Sequence, residues 1–181
     1  KLIVVNEVQL RKISALKTPN QVLAVINRPY SDNNVFDGDA LFLDGIQIPN
    51  NVGAILRIAD WFEIRNVLLS PTTADIYSPK VIQASMGSFL RLNFHVLESA
   101  ALKSTYADHQ LVIADGTGIA IKDFDFVSPA ILVMGSEGGG PSSESFNQAD
   151  YIVKIDRIAA DFPESLNVSI AAGIICHAWK G

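Results

Sequence analysis

Apolar runs of strand length recur along the chain: VLAVI (22–26), ALFLD (40–44), NVLLS (66–70), LVIAD (111–115), AILVMG (130–135) and YIVKI (151–155). Most are continuous rather than alternating, the pattern of strands covered on both faces. Between several of them lie helix-like stretches at 51–62, 78–90, 99–108, 142–148 and 165–179. This alternation predicts an α/β domain, a parallel sheet with helices on both faces. In such sheets ligands gather beyond the carboxyl ends of the strands, which directs attention to the loops there. Residues 1–20 predict a short helix leading into the domain, and the turn-rich stretch 27–39 a loop.

The segment 165–179 carries two periods at once. Leu166, Val168 and Ile170 alternate with Ser165, Asn167 and Ser169, as in a half-buried strand. The Ala-rich apolar run that follows is too long for a strand and predicts a buried helix, so Ser165 or Asn167 becomes a candidate cap.

Composition narrows the class. With 181 residues, 49% hydrophobic and 18% charged, the chain suits one well-packed domain. A net charge of −5 argues against a broadly basic surface and mildly against nucleic acid, leaving room only for a local cationic cleft. The single cysteine, Cys176, permits no internal disulfide, which suits a reducing compartment. His95, His109 and His177 keep no metal-ligand spacing, so no metal is expected. No apolar run reaches the roughly 18 residues of a membrane span, and no secretory leader is legible.

Three loops carry candidate chemistry. In LDGIQIPNNVGAILRIADWF (43–62), Asn50 or Asn51 can cap a helix, Gly53 permits close approach, and Arg57 lies off the apolar stripe. In LVMGSEGGGPSSE (132–144), a buried strand runs into clustered glycines with Glu137 among them. This is neither a dinucleotide fingerprint nor a P-loop, and Glu137 favours a neutral or cationic ligand over phosphate. It reads equally as a tight turn with Ser142 or Ser143 as N-cap. The third is the start of the last helix.

In this order, IPNNVGAILRIA, LVMGSEGGG and ESLNVSIAAGI resemble the three motifs of the SpoU/TrmH family of RNA ribose methyltransferases, within the SPOUT superfamily. SPKVIQASMGS, with Lys80, Ser85 and Gly87, is similar to a further family segment; the resemblance spans roughly 40–180. It implies a C-terminal deep trefoil knot, a homodimer, S-adenosyl-L-methionine as cofactor, and methyl transfer to a ribose 2′-hydroxyl in the cytoplasm. Ribosomal RNA is the expected substrate, with transfer RNA or a non-catalytic RNA- or cofactor-binding role as alternatives. By motif position it implies a catalytic set of Arg57, Asn51, Glu137, Ser165 and Asn167. Cofactor contacts are implied for Met134, Gly135, Glu137, Gly138, Ile155, Leu166 and Asn167. The candidate RNA-binding cations are Arg65, Lys80, Arg91 and Arg157. Residues 1–20 resemble the linker or remnant of an N-terminal RNA-binding domain, which leaves 21–181 as the catalytic domain.

Three positions depart from the family pattern. Ile48 stands where an aspartate is usual, Glu63 where a glycine is common, and Ile155-Asp156-Arg157 where Ile-Pro-Met is usual.

Overall fold

The computed structural model of the chain describes residues 2–14, 16–25, 27, 35–158 and 165–181. The chain divides into two compact units, Lys1–Tyr30 and Ser31–Gly181. In the first, helix α1 (Glu7–Ile13) opens on a reciprocal cap. The Asn6 side chain accepts from the Gln9 amide, and the Gln9 side chain accepts from the Asn6 amide, both at 2.9 Å. No residue of α1 is buried, so capping and the Glu7–Arg11 pair at 2.9 Å support it locally. The expected strand at 22–26 does not form: residues 22–25 are exposed and join no ladder, and Ile26 lies outside the described residues. A hydrophobic run makes a strand only when a neighbouring ladder takes up its amides. The predicted loop at 27–39 falls partly outside the described residues; its described positions hold neither helix nor strand.

The second unit is a six-stranded parallel sheet. The strands are β1 (Ala40–Asp44), β2 (Asn66–Leu69), β3 (Asn93–Val96), β4 (Gln110–Ala120), β5 (Ala130–Gly135) and β6 (Tyr151–Lys154), in the order β3-β2-β1-β5-β4-β6. Every residue of β1, β2 and β5 is buried, which is why these segments read as continuous apolar runs. Alternate side chains feed two cores. Leu41 and Leu43 join one with helices α2 (Pro49–Trp61) and α6 (Val168–Lys180). Ala40 and Phe42 join the other, with Leu102 of α4 (Leu102–Thr105) and Phe146 of α5 (Ser143–Phe146). Helices therefore cover both faces, as the sequence predicts.

Local chemistry moved several boundaries. Helix α2 begins at Pro49, whose missing amide and preset φ suit a first helical position, so Asn50 and Asn51 lie inside the helix rather than capping it. The stretch 78–90 breaks in two. Helix α3 (Pro79–Ala84) stops where Ser85 bonds back to Ile82, and Met86 (φ 50°) and Gly87 (φ 90°) adopt left-handed backbone before a 3-10 turn at Ser88–Arg91. The stretch 99–108 becomes a 3-10 turn at Ser99–Ala101 plus the single turn of α4. Strand β3 went unpredicted: it is an edge strand with His95 as its one buried residue, so its sequence never becomes continuously apolar. Strand β4 runs past Asp115 to Ala120, through a register shift against β6.

Helix α6 buries Val168, Ala172, Ile175 and Cys176, a spacing of four, three and one that keeps one stripe on the sheet. Each such aliphatic contributes about 1.5–3 kcal/mol on burial. Burial also pushes the Cys176 thiol up to about 12, which makes it an inert core residue. At its far end α6 is moored by Lys180 to Asp39 and by stacking of Trp179 on Phe126 at 4.7 Å. Asp39 also accepts from the Ala130 amide (2.8 Å) and the Ser128 hydroxyl (2.9 Å).

Burial pushes the Asp39 carboxyl upward, but its bonds to Lys180, Ala130 and Ser128 outweigh this and hold it below the ordinary aspartate value. The Arg91 guanidinium likewise holds Asp60 down. A depressed folded pKa adds stability that is present above the unfolded value and lost as pH falls through the folded one. Acid unfolding should therefore steepen below about pH 4, and Asp39→Asn should flatten that limb in circular-dichroism titrations.

Candidate functional site

Strands β1 and β5 are neighbours, yet the chain leaves them for opposite faces: β1 leads to α2 in one core and β5 to α5 in the other. This divergence marks a topological switch point, and the crevice expected at its carboxyl edge is the usual place for a ligand in an open parallel sheet. Asp44, the last residue of β1 and only 5% exposed, holds it together. Its carboxylate accepts from the Ser142 amide and the Ser145 hydroxyl, each at 2.7 Å, and from the Ser99 hydroxyl at 2.8 Å. Its signal in the sequence is a charged residue closing an otherwise apolar strand, and sequence reasoning gave it no role.

After β5 the chain folds back on itself. Ser136 and Gly140 exchange backbone hydrogen bonds at 3.1 and 2.9 Å, which puts Glu137, Gly138 and Gly139 at an exposed tip. Gly135 is obligatory for this turn: a Cβ there would stand 1.9 Å from the Pro141 nitrogen. Ser142 caps α5 by accepting from the Ser145 amide at 3.2 Å. Gly53 serves a similar purpose in α2, where a Cβ would meet Ala84 at 2.4 Å and bar the approach of α3.

Three residues from the three motif segments meet across this crevice. Asn51, buried in the first turn of α2, donates through Nδ2 to Glu137 Oε1. Asn167, the N-cap of α6, donates through Nδ2 to Asn51 Oδ1 at 3.1 Å. The Asn167 Oδ1 accepts from the Ser169 amide (3.0 Å) and hydroxyl (2.6 Å), so the same side chain caps the helix and joins the site. Separations of 86 and 116 residues close here into one hydrogen-bonded chain.

Among the described residues, the other expected site residues make no hydrogen bond to this trio. Arg57 is exposed on α2, and among the described residues it has no hydrogen-bond or ion-pair partner. Ser165 and Leu166 are exposed just before α6, Leu166 by 44%. Met134 is buried at the end of β5, Gly138 has open space where a Cβ would stand, and Ile155 is half-buried just past β6. Among the cations, Arg65 and Arg91 both bind Asp60, at 2.6 and 2.5 Å, in a cluster the sequence did not suggest. Lys80 is exposed on α3, and Arg157 is exposed and partnered. No group of His, Cys, Asp or Glu among the described residues could hold a metal ion.

The departures also find places. Ile48 is the N-cap of α2, half exposed, and supplies no side-chain cap. Ile48→Asp should stabilise the domain by about 1 kcal/mol, because a carboxylate there accepts from first-turn amides and faces the positive helix end. A rise in thermal midpoint checks this. Glu63 sits in left-handed backbone (φ 57°), which explains why a glycine is at home there. Asp156 pairs with Lys122 at 2.9 Å on the surface.

The chain is thus an α/β domain with a parallel sheet whose carboxyl edge gathers Glu137 and two carboxamides from three separate segments. Residues 40–177 match the SpoU rRNA Methylase family, and the chain belongs to it. The fold is similar to that of a TrmH-family protein of Porphyromonas gingivalis, with 38% identity and a TM-score of 0.87 over 94% of this chain and 70% of that one. It is also similar to the SpoU methyltransferase AviRb of Streptomyces viridochromogenes, solved in complex with AdoMet: 27% identity, TM-score 0.85, covering 97% and 71% of the two chains. Among curated relatives, a 23S rRNA (uridine-2′-O)-methyltransferase of Streptomyces viridochromogenes is 28% identical over 89% of this chain and 60% of its own length. The chain spans about half to two thirds of the length of such relatives, 51–68% among the first four.

Proposed function

We propose that this chain is the catalytic domain of an RNA methyltransferase that modifies a ribose 2′-hydroxyl, in ribosomal RNA first and transfer RNA as the alternative. The observation that carries the reading is the Asn167–Asn51–Glu137 chain, assembled from the three motif segments at the carboxyl edge of the sheet. S-adenosyl-L-methionine would supply a methyl group that is already electrophilic. Its sulfonium charge suits a site whose exposed carboxylate is Glu137. Met134, Gly135 and Gly138 of the β5 turn, Ile155 after β6, and Leu166 before α6 all border that edge and would hold it. The mixture of backbone amides, open glycine and half-exposed aliphatics fits a nucleoside thioether.

The chain's own chemical task is then to orient the ribose and manage the hydroxyl proton. Guanidinium is effectively always protonated, so Arg57 acts by stabilising the developing alkoxide and gripping the adjacent phosphate rather than as a base. Asn51 and Asn167 fix Glu137, and Ser165 faces the ribose from the start of α6. Lys80 and Arg157, with Arg65 and Arg91 held by Asp60, extend the phosphate-binding surface.

The same reading implies a C-terminal deep trefoil knot and pairs two copies. Exposed Ile170 and Ile174, one turn apart on α6, favour a homodimer interface beside the site. Residues 1–20 would link to an N-terminal RNA-binding domain, with the domain proper at 21–181, and the cytoplasm is the expected compartment.

Transfer of radiolabelled methyl groups from S-adenosyl-L-methionine to ribosomal and transfer RNA, followed by mapping of ribose methylation, tests the reading. Label in ribosomal RNA supports it, and label in transfer RNA selects the alternative. Tight S-adenosylhomocysteine binding with no transfer to any RNA marks a non-catalytic binder instead.

A further inference from the structure

The hydrogen-bonded chain across the crevice has a fixed direction. Glu137 at one end is a carboxylate, which only accepts, so Asn51 must present its NH2 group there and turn its oxygen to Asn167. At the other end the Ser169 backbone amide only donates, so Asn167 must present its oxygen to it and its NH2 group to Asn51. Both ends dictate the same orientation, and flipping either carboxamide would set like against like. The Ser169 hydroxyl adds a second donor to Asn167 Oδ1, at 2.6 Å.

We propose that Ser169 is a positioning residue of the methyl-transfer site: its hydroxyl drives the one-way chain Ser169→Asn167→Asn51→Glu137 that holds one oxygen of Glu137 and leaves the other for the substrate. Successive donors polarise one another, so a hydroxyl on Asn167 Oδ1 strengthens Asn167 as a donor, then Asn51. Among the described residues, Glu137 Oε2 has no partner of its own. Ser169 is half-buried on the second residue of α6 and needs no contact with RNA or cofactor to act. The helix cap does not depend on its hydroxyl, because the Ser169 amide alone still bonds Asn167. This separates the positioning task from a structural one.

The inference rests on the methyltransferase reading, and its test has one arm that does not. In the full chain, Ser169→Ala should shift the side-chain amide resonances of Asn51, two links away, assigned against Asn51→Ala. Ser169→Thr should restore them, with thermal midpoints unchanged. In single-turnover assays Ser169→Ala should slow transfer roughly 5–10-fold, the worth of one neutral hydrogen bond, at unaltered S-adenosylhomocysteine affinity. Combined with Asn51→Ala it should add nothing further. Unmoved Asn51 resonances, or slowing that multiplies with that of Asn51→Ala, would overturn the proposal. Absence of methyl transfer by the wild-type chain would instead sink the reading it rests on, while the resonance arm still decides the relay.

Discussion

Arg57→Ala should slow methyl transfer severely while leaving the fold and cofactor affinity intact. The side chain is exposed and without a partner among the described residues, so its removal strands no buried group and opens no cavity. An arginine exposed on a helix and unpaired among the described residues is available to a ligand rather than to the fold. By comparison with the loss of one preorganised oxyanion donor, the barrier should rise by about 3–4 kcal/mol, a few hundredfold in rate. Calorimetry with S-adenosylhomocysteine and single-turnover transfer, measured together, check it. Lysine at this position should recover little, since it supplies the charge without the planar fork that grips a phosphate. Near-normal turnover in Arg57→Ala would remove Arg57 from the chemistry.

Asp44→Ala should have the largest effect on stability, about 3–5 kcal/mol by chemical denaturation, with loss of cofactor binding following from it. The change leaves the Ser142 amide and the Ser145 hydroxyl without their acceptor in a buried setting, and frees Ser99 as well. Those three groups fix the return of the Glu137 turn and the start of α5 against the end of β1. Asp44→Asn should fall between wild type and alanine, because its oxygen can still accept while its NH2 group meets donors. An Asp44→Ala protein of wild-type stability would show that the buried cluster is rearranged or hydrated.

These predictions bear on residues of opposite legibility. The exposed place of Arg57 on its helix was legible from the sequence, because periodicity alone sets it off the apolar stripe. Asp44 could not be found, since its partners lie 55, 98 and 101 positions away. Strands β1, β2 and β5 were legible because burial on both faces leaves an uninterrupted apolar run. The edge strand β3 was not, because its residues are unequally covered. The run at 22–25 misled for the complementary reason: hydrophobicity is a property of the segment, whereas a strand is a property of the segment and its neighbour.

The sequence by itself determined the class of fold and the motif segments, because these follow from local composition and spacing. Only the tertiary structure decided that Asn51, Glu137 and Asn167 form one chain, that both carboxamides point one way, and that Arg65 and Arg91 share Asp60. Direction in a hydrogen-bond network is set by what its two ends can donate or accept. Those ends are brought together by sheet order and helix packing, which no local stretch of sequence encodes.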